Sequence, residues 1–382
     1  MSAALQGDEG FGLYVHWPFC ISKCPYCDFN SHVAKDNIPE QAYIAALIED
    51  LKADLHWVQG RKLHSIFIGG GTPSLFSGPA IEAILVAAEG LIGFESDIEI
   101  TLEANPGTFE QNKFADFRTA GINRLSIGVQ SFDDSHLNRL GRIHDAGQAL
   151  RAIATARSVG FDNFNIDLMH GLPNQTISQA EADLTQAIDA GAMHISWYQL
   201  TIEPNTEFFS KPPLLPIDDR LADIQQAGMV MLQENQFEQY EVSAFALNGQ
   251  KAAHNMNYWQ FGDYLGIGAG AHGKITLPEQ QQVLRTAKTR QPDHYLDRIG
   301  SAISQSNAIK PDEMTLEFMM NGLRLKQGVP IDYFKARTGI DPKSIQKVAS
   351  HLESLGLLEP NSNHYRTTSL GYQFLNTVLQ AF

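Results

Sequence analysis

The stretch YVHWPFCISKCPYCDFNSH, residues 14–32, decides the fold because it holds every cysteine of the chain: Cys20, Cys24 and Cys27. These cysteines follow a short apolar run, GLYVHW (12–17), which predicts a first β-strand. The loop is short, so the three sulfurs can converge on one centre. Thiolates select zinc, copper(I) or iron–sulfur clusters, and zinc would need a fourth ligand from another residue type. The sequence therefore predicts a metal centre with one position that no cysteine fills.

The composition predicts a soluble, acidic protein. The 382 residues include 28 Lys and Arg against 43 Asp and Glu, a formal charge of −15. Such a surface repels phosphate groups, so neither nucleic acid nor an anionic membrane is an expected partner. The first ten residues lack the basic and apolar regions of a secretory signal, and no apolar run is long enough to predict a transmembrane segment. We expect a cytoplasmic protein, and the sequence leaves its oligomeric state open, a homodimer included.

Short apolar runs alternate with longer helical patterns through the first 240 residues. Strands are predicted at 12–17, 65–70, 97–104, 124–130, 163–171 and 194–200. Helices are predicted at 39–58, 79–91, 110–120, 133–140, 145–159, 177–190 and 218–236. Six units of about 30 residues, joined by right-handed crossovers, give a parallel sheet with helices outside. The pattern predicts an α/β fold with a partial (β/α)6 TIM-type barrel, and a doubly wound sheet is the alternative.

The rest of the chain divides the protein into three predicted parts. Residues 1–245 form the barrel domain, 246–304 a connecting region, and 305–382 a smaller, mostly helical C-terminal domain that is winged-helix-like. Winged helices often bind DNA, but 310–382 carries eight Lys and Arg against seven Asp and Glu, with no basic stripe. A packing or lid role is therefore favoured. Within the connecting region, the glycine-rich segment 264–274 predicts a loop that carries His272.

Polar residues stand where the predicted strands end. They are His16, the GGGTP at 69–73, Glu103, Gln130, Asp167 and Tyr198. Because a barrel gathers the carboxyl ends of its strands onto one face, these residues predict an active site beside the cysteines.

Three cysteines also restrict the kind of cluster. An iron–sulfur cube takes four thiolates, so one of its irons would be left to bind something else. S-adenosylmethionine can chelate such an iron through its amino and carboxylate groups, and the cluster then passes it one electron. Tyr26, between two of the cysteines, would lie against the adenine.

The C-x3-C-x-aromatic-C spacing resembles the signature of radical S-adenosylmethionine proteins. YVHWPFC, GGGTPS, GVQSF, GRIHD and IDLMHGLP together resemble the oxygen-independent coproporphyrinogen III dehydrogenase group, from about residue 12 to the C-terminus. The resemblance implies a 4Fe-4S cluster on the three cysteines. It also implies contacts to S-adenosylmethionine from Tyr14, Gly70, Gly71, Thr72, Glu103, Gln130, Arg142 and Asp167. Arg142 would bind the ligand's carboxylate bidentately, and Glu103 suits hydroxyls or an ammonium.

One departure from the dehydrogenases and one further motif resemble a sister branch, the HemW-type haem chaperones. Phe29 stands where the dehydrogenases have a further cysteine, and H-N-x-x-Y-W appears as His254, Asn255, Tyr258 and Trp259. This resemblance implies a carrier that binds haem and passes it to client haemoproteins. A neutral imidazole is a standard haem ligand, so His254 is the predicted haem contact. The alternative is a radical enzyme, similar to the dehydrogenases, acting on a tetrapyrrole.

Overall fold

Six β–α units follow one another along the chain, as the alternating pattern predicts. The computed structural model describes residues 5, 10–34, 38–107, 111–298, 300–360 and 363–382. Its first eight strands are Phe11–Trp17 (β1), Phe19–Cys20 (β2), His32–Val33 (β3), Leu63–Gly70 (β4), Phe94–Ala104 (β5), Arg124–Gln130 (β6), Phe164–His170 (β7) and His194–Gln199 (β8). Apart from β2 and β3, which pair with each other, these strands lie parallel in the order β1-β4-β5-β6-β7-β8. That order has no reversal, so the doubly wound alternative is wrong and the partial barrel is confirmed.

At least one helix follows each of the six parallel strands. The helices of this region are Glu40–Asp54, Gly78–Leu91, Phe114–Ala120, Asp134–Arg139, Ala146–Ser158, Ile177–Asp189, Glu207–Ser210 and Asp218–Glu234. The helix predicted from residue 110 begins outside the described residues. Gly121 ends it with a φ of 112°, a left-handed conformation that glycine adopts without strain. Apolar faces of these helices and strands share one hydrophobic core.

The sheet continues beyond both ends of the six strands. Its further strands are Glu238–Glu241 (β9), Ala244–Ala246 (β10), Asp263–Ile267 (β11), His272–Leu277 (β12), Gln282–Lys288 (β13) and Ile303–Ala308 (β14). The full order is β14-β13-β12-β11-β1-β4-β5-β6-β7-β8-β10-β9, and β11 pairs with β1 in parallel. The loop predicted at 264–274 is wrong, because this segment forms parts of two strands joined by residues 268–271. The predicted connecting region therefore belongs to the main sheet by its pairing, and the three-part division stays a prediction.

The C-terminal region is mostly helical, as predicted. Its helices are Pro311–Gly322, Ile331–Thr338, Gln346–Ser354, Ser369–Gln373 and Leu375–Leu379, and two short strands, Val329–Pro330 and His364–Tyr365, pair antiparallel. A separate core forms around aromatic contacts between Phe318, Phe334 and Tyr365. This region contacts the sheet through Arg285, whose Nη2 donates to Glu317 at 2.6 Å.

Helices long and apolar enough to cross a bilayer do not occur in the described parts of the chain.

Candidate functional site

The carboxyl ends of the parallel strands surround a cavity of about 380 Å³ beside the cysteine loop. Of the thirteen residues predicted to contact the cluster, S-adenosylmethionine or haem, eleven line it: Cys20, Cys24, Tyr26, Cys27, Gly70, Gly71, Thr72, Glu103, Gln130, Arg142 and Asp167. Two of the predicted residues, Tyr14 and His254, lie elsewhere. The cavity, named here the first cavity, stands on the face where barrel enzymes place their active sites.

The cysteine loop is closed at its base by backbone hydrogen bonds. Ala34 N donates to Cys20 O at 3.0 Å, and a turn inside the loop joins Cys27 N to Cys24 O at 3.1 Å. The Sγ of Cys27 lies 3.7 Å from the Oγ of Ser31. Burial raises the pKa of the Cys20 and Cys27 thiols. Metal ligands must be thiolates, so we expect metal binding here to release protons.

The three thiols do not converge as a site for a single ion. Within the described ranges, no group of three or more His, Cys, Asp or Glu side chains is placed to hold one metal ion. The expectation that the sulfurs meet at one centre therefore stays a prediction. A cluster takes thiolates on separate irons, so its ligands stand apart around one space. Three thiols facing one cavity fit a cluster that keeps one iron free of protein thiolate.

The glycine-rich end of β4 packs directly against the start of the cysteine loop. Gly70 has a φ of 116°, and a Cβ on it would lie 2.6 Å from Cε1 of His16. A Cβ on Gly71 would lie 2.6 Å from the carbonyl oxygen of Phe19. Both glycines are thus required by the protein's own packing, in addition to the predicted approach of a ligand.

Two half-buried carboxyls face the first cavity. Glu103 Oε2 accepts from Gly70 N at 3.1 Å. Burial, and next the nearby Asp167, raise the pKa of Glu103 to about 8. Asp167 accepts from Ser126 Oγ at 3.0 Å and from Asn165 Nδ2 at 2.7 Å. Burial raises the pKa of Asp167 even though these hydrogen bonds oppose the shift. A cationic ligand in the first cavity would therefore favour release of a proton from these carboxyls.

Arg142 brings its guanidinium to the same wall from the loop between helices Asp134–Arg139 and Ala146–Ser158. Its Nη2 donates to Asn105 Oδ1 and to Gly128 O, both at 2.7 Å. Its Nη1 lies 3.7 Å from Cys24 Sγ. The buried Nε has no partner among the described residues. A fixed guanidinium beside a thiol is suited to bind a carboxylate that also reaches the cluster.

Gln130 ends β6 with a φ of 72°, a left-handed conformation that is uncommon for residues other than glycine. Its Oε1 accepts from Tyr198 OH at 2.6 Å. Such strained positions persist where surrounding contacts hold them, often at functional sites. Tyr26, in the cysteine loop, also lines the first cavity, and its ring packs on Phe208 with centroids 6.4 Å apart. The two tyrosines give the cavity an aromatic side.

Tyr14, predicted with the S-adenosylmethionine contacts, lines a neighbouring cavity of about 360 Å³, named here the second cavity. Its hydroxyl lies 2.9 Å from Nδ1 of His16, whose Nε2 lies 2.9 Å from Asn30 O. Gly70, Glu103 and Phe29 line both cavities. The two spaces therefore share one wall.

His254, the predicted haem contact, lines neither cavity. It lies in helix Ala253–Trp259 and is only 1% exposed. Its Nδ1 lies 2.9 Å from Ser65 Oγ, and its Nε2 lies 2.8 Å from Tyr258 OH. Burial lowers the pKa of His254 to about 3. Because both ring nitrogens are engaged, direct coordination of iron requires one of these hydrogen bonds to break.

Sequence reasoning missed several residues of the first cavity. Asn105 follows Glu103 by two positions and holds Arg142, and Ser126 holds Asp167 from the neighbouring strand. Lys23 donates from within the cysteine loop to Phe29 O at 3.2 Å. Asn105 was accessible to prediction as the next polar residue at a strand end. Ser126 was not, because its role depends on strand register.

This fold, with a three-cysteine loop after the first strand, defines the class of radical S-adenosylmethionine proteins. The model of the radical SAM superfamily matches residues 14–187, and that of the HemN C-terminal domain matches 309–374. The superfamily implies a 4Fe-4S cluster and S-adenosylmethionine, and the thiols and cavity described above fit both.

Similar proteins of known name indicate which family of radical SAM proteins the chain belongs to. "Heme chaperone HemW" of Escherichia coli is 46% identical over 97% of both chains. The protein of the same name from Haemophilus influenzae is 48% identical, again over 97% of both chains. The chain belongs to the HemW family of radical SAM proteins.

A solved structure confirms the fold. Coproporphyrinogen III oxidase (HemN) from Escherichia coli matches with a TM-score of 0.80, over 97% of this chain and 89% of that chain. The two sequences are 21% identical, so this likeness concerns the fold alone.

Proposed function

We propose that the chain is a haem carrier, which binds haem and passes it to client haemoproteins. Relatives of 46% and 48% identity over nearly the whole chain are named heme chaperones. The observation that carries the proposal is the second cavity, which adjoins the cysteine-lined cavity and shares Gly70 and Glu103 with it. One molecule thus has room for two neighbouring ligands.

The first cavity would hold the cluster and an exchangeable S-adenosylmethionine. Cys20, Cys24 and Cys27 would bind three irons, and the chain has no other cysteine for the fourth. Arg142 would bind the ligand's carboxylate, and Glu103 its ammonium or hydroxyls. Gly71 and Thr72 line the same wall, as do Gln130 and Asp167. When bound, the cluster and S-adenosylmethionine supply one-electron chemistry.

His254 would act on haem by positioning another residue. Its Nε2 lies 2.8 Å from the hydroxyl of Tyr258, and Tyr258 lines the second cavity. The predicted haem contact at His254 is therefore proposed to operate through this hydrogen bond.

An anaerobic haem titration of the cluster-reconstituted protein tests the carrier function. We expect saturable uptake of one haem per chain, read from the visible absorption band. We expect His254→Ala to weaken this uptake. Tyr258→Phe removes the hydrogen bond to His254 and keeps the ring, so we expect it to reproduce much of that loss. If the parent protein takes up no haem saturably, the carrier function is wrong.

The partners beyond haem are also proposals. Client haemoproteins are unnamed by the sequence, and a charge of −15 favours a client with a basic surface. The cytoplasmic location and a homodimer stay predictions. Sedimentation of the reconstituted protein with and without haem tests whether the homodimer forms.

A further inference from the structure

The second cavity combines aromatic walls with two kinds of group that recognise haem. Its aromatic lining consists of Tyr14, Phe29, Tyr258 and Tyr264. The rings of Tyr258 and Tyr264 lie 4.4 Å apart between centroids. A volume of about 360 Å³ is at the small end of ligand sites, but the cavity is open, so one edge of a flat macrocycle can remain in water.

His272 is the imidazole of this cavity that is available to a metal. Hydrogen bonds engage both nitrogens of His16, the other histidine of the lining. The ring of His272 forms no hydrogen bond with any described residue, and the residue is exposed at the start of β12. Burial, then Arg290 and Arg285, lower the pKa of His272. This direction favours the neutral ring, which is the form that binds iron.

Arg290 supplies a cation at the rim of the same cavity. Its backbone carbonyl accepts from Asn30 Nδ2 at 2.9 Å, which fixes the chain here against the cysteine loop. Its guanidinium forms no ion pair with a described residue. An unpaired guanidinium suits a carboxylate, and haem carries two as propionates.

The turn that presents these groups is held in place. Gly270 has a φ of 81°, and a Cβ there would lie 2.3 Å from Nδ2 of Asn30. The same Asn30 nitrogen donates to Ala269 O at 2.9 Å. Asn30 thus bonds to the backbone near His272, at Ala269, and to that of Arg290.

We propose that the second cavity is the haem site, with His272 as an axial ligand of the iron and Arg290 as the partner of a propionate. This assignment rests on the proposed haem-carrier function and locates its ligand. It places haem against the wall formed by Gly70 and Glu103, next to the space for S-adenosylmethionine. His254 then supports the site from behind through Tyr258.

Ferric haem titrated into the reconstituted full chain tests the axial ligand. We expect His272→Ala to lose the absorption and EPR signature of imidazole ligation and to weaken binding about tenfold or more, as expected for a lost metal ligand. Added imidazole should restore the signature. His351→Ala, which removes another exposed histidine, should leave both unchanged.

Haem dimethyl ester tests Arg290, because it lacks the propionate charges. We expect Arg290→Ala to weaken binding of haem about fivefold or more and to leave binding of the ester unchanged, since charge-assisted contacts are the strong ones. Arg220→Ala, at another exposed arginine, should affect neither ligand.

The outcomes separate the two proposals. If the parent binds haem and His272→Ala keeps the parent's spectrum and affinity, the site assignment is wrong and the carrier function stands. The same holds if only His254→Ala abolishes imidazole ligation. No saturable uptake by the parent overturns the carrier function and the site together.

Discussion

At the scale of the residue, the chemistry of the first cavity depends on two half-buried carboxyls, those of Glu103 and Asp167. Glu103 is half-buried between the two cavities, and its pKa is raised to about 8. At neutral pH it therefore carries a proton. S-adenosylmethionine is positively charged at its sulfonium and its ammonium, and a nearby cation lowers the pKa of a carboxyl. Binding should then release the proton.

We expect the binding of S-adenosylmethionine at pH 7 to release up to about one proton per chain, and Glu103→Gln to remove most of that release. Titration calorimetry in two buffers of different ionisation enthalpy measures it on the cluster-reconstituted protein, whose cysteines are already deprotonated. Glu89→Gln, at an exposed helix position, is the control. Equal proton release by parent and Glu103→Gln would contradict this role.

Single residues also show where sequence reasoning stops. The cysteines, Arg142 and Asp167 were predicted from motifs and strand ends, and the structure places all of them at one cavity. His254 has the expected motif around it, yet hydrogen bonds to Ser65 and Tyr258 engage its ring. Ser65 is 189 residues away in the chain, so no local pattern could reveal that contact.

At the scale of the element, the end of β4 brings the strand, the cysteine loop and both cavities together. Gly70 lines both cavities and has no room for a side chain, because His16 lies behind it. The glycines of the GGGTP motif are therefore needed for packing at the end of β4, in addition to lining the predicted ligand site.

We expect Gly70→Ala to lower the free energy of unfolding by about 3 kcal/mol or more, from its positive φ together with a steric clash. Gly60→Ala is the matched control, because Gly60 has a φ of 76° with no atom within 4 Å of the added Cβ. Backbone strain alone should lower the free energy of unfolding of Gly60→Ala by about 1 kcal/mol. Urea unfolding compares them, and equal losses would show that packing at Gly70 matters little.

Elements were predictable where their pattern is local. The six β–α units were predicted because each apolar run is followed by its own helix. The loop predicted at 264–274 was wrong because β11 gains its strand partner from β1, more than 250 residues earlier. Glycines that read as a loop instead permit close approach, since a Cβ on Gly266 would lie 1.9 Å from the carbonyl oxygen of His272.

At the scale of the whole molecule, buried ion pairs tie the added strands to the barrel. Lys288 in β13 donates to Asp50 and Asp54 in helix Glu40–Asp54, both at 2.6 Å. Tyr295 OH also donates to Asp50, at 2.7 Å. All three charged side chains are 1% exposed. These contacts join β13 and Tyr295 to helix Glu40–Asp54.

We expect Lys288→Met to lower the free energy of unfolding by about 3–5 kcal/mol, because it leaves two buried carboxylates uncompensated. The loss should be larger at pH 8 than at pH 5. Burial already raises the pKa of Asp54 to about 6 against the opposing effect of Lys288. Removing the cation raises this pKa further in the folded state, so the folded protein must retain a proton that high pH removes. Lys52→Met, which breaks an exposed pair with Glu49, should cost less than about 1 kcal/mol. Chemical denaturation at both pH values measures this, and a small loss at Lys288 would contradict it.

The measurement that tests the carrier account most directly is the yield of 5′-deoxyadenosine. Reconstituted protein is incubated anaerobically with S-adenosylmethionine and a reductant, once with haem and once with coproporphyrinogen III. A haem carrier should take up one haem per chain and form no 5′-deoxyadenosine beyond the level without a tetrapyrrole. Multiple turnovers of 5′-deoxyadenosine, with a decarboxylated product from coproporphyrinogen III, would contradict it and define a radical enzyme instead.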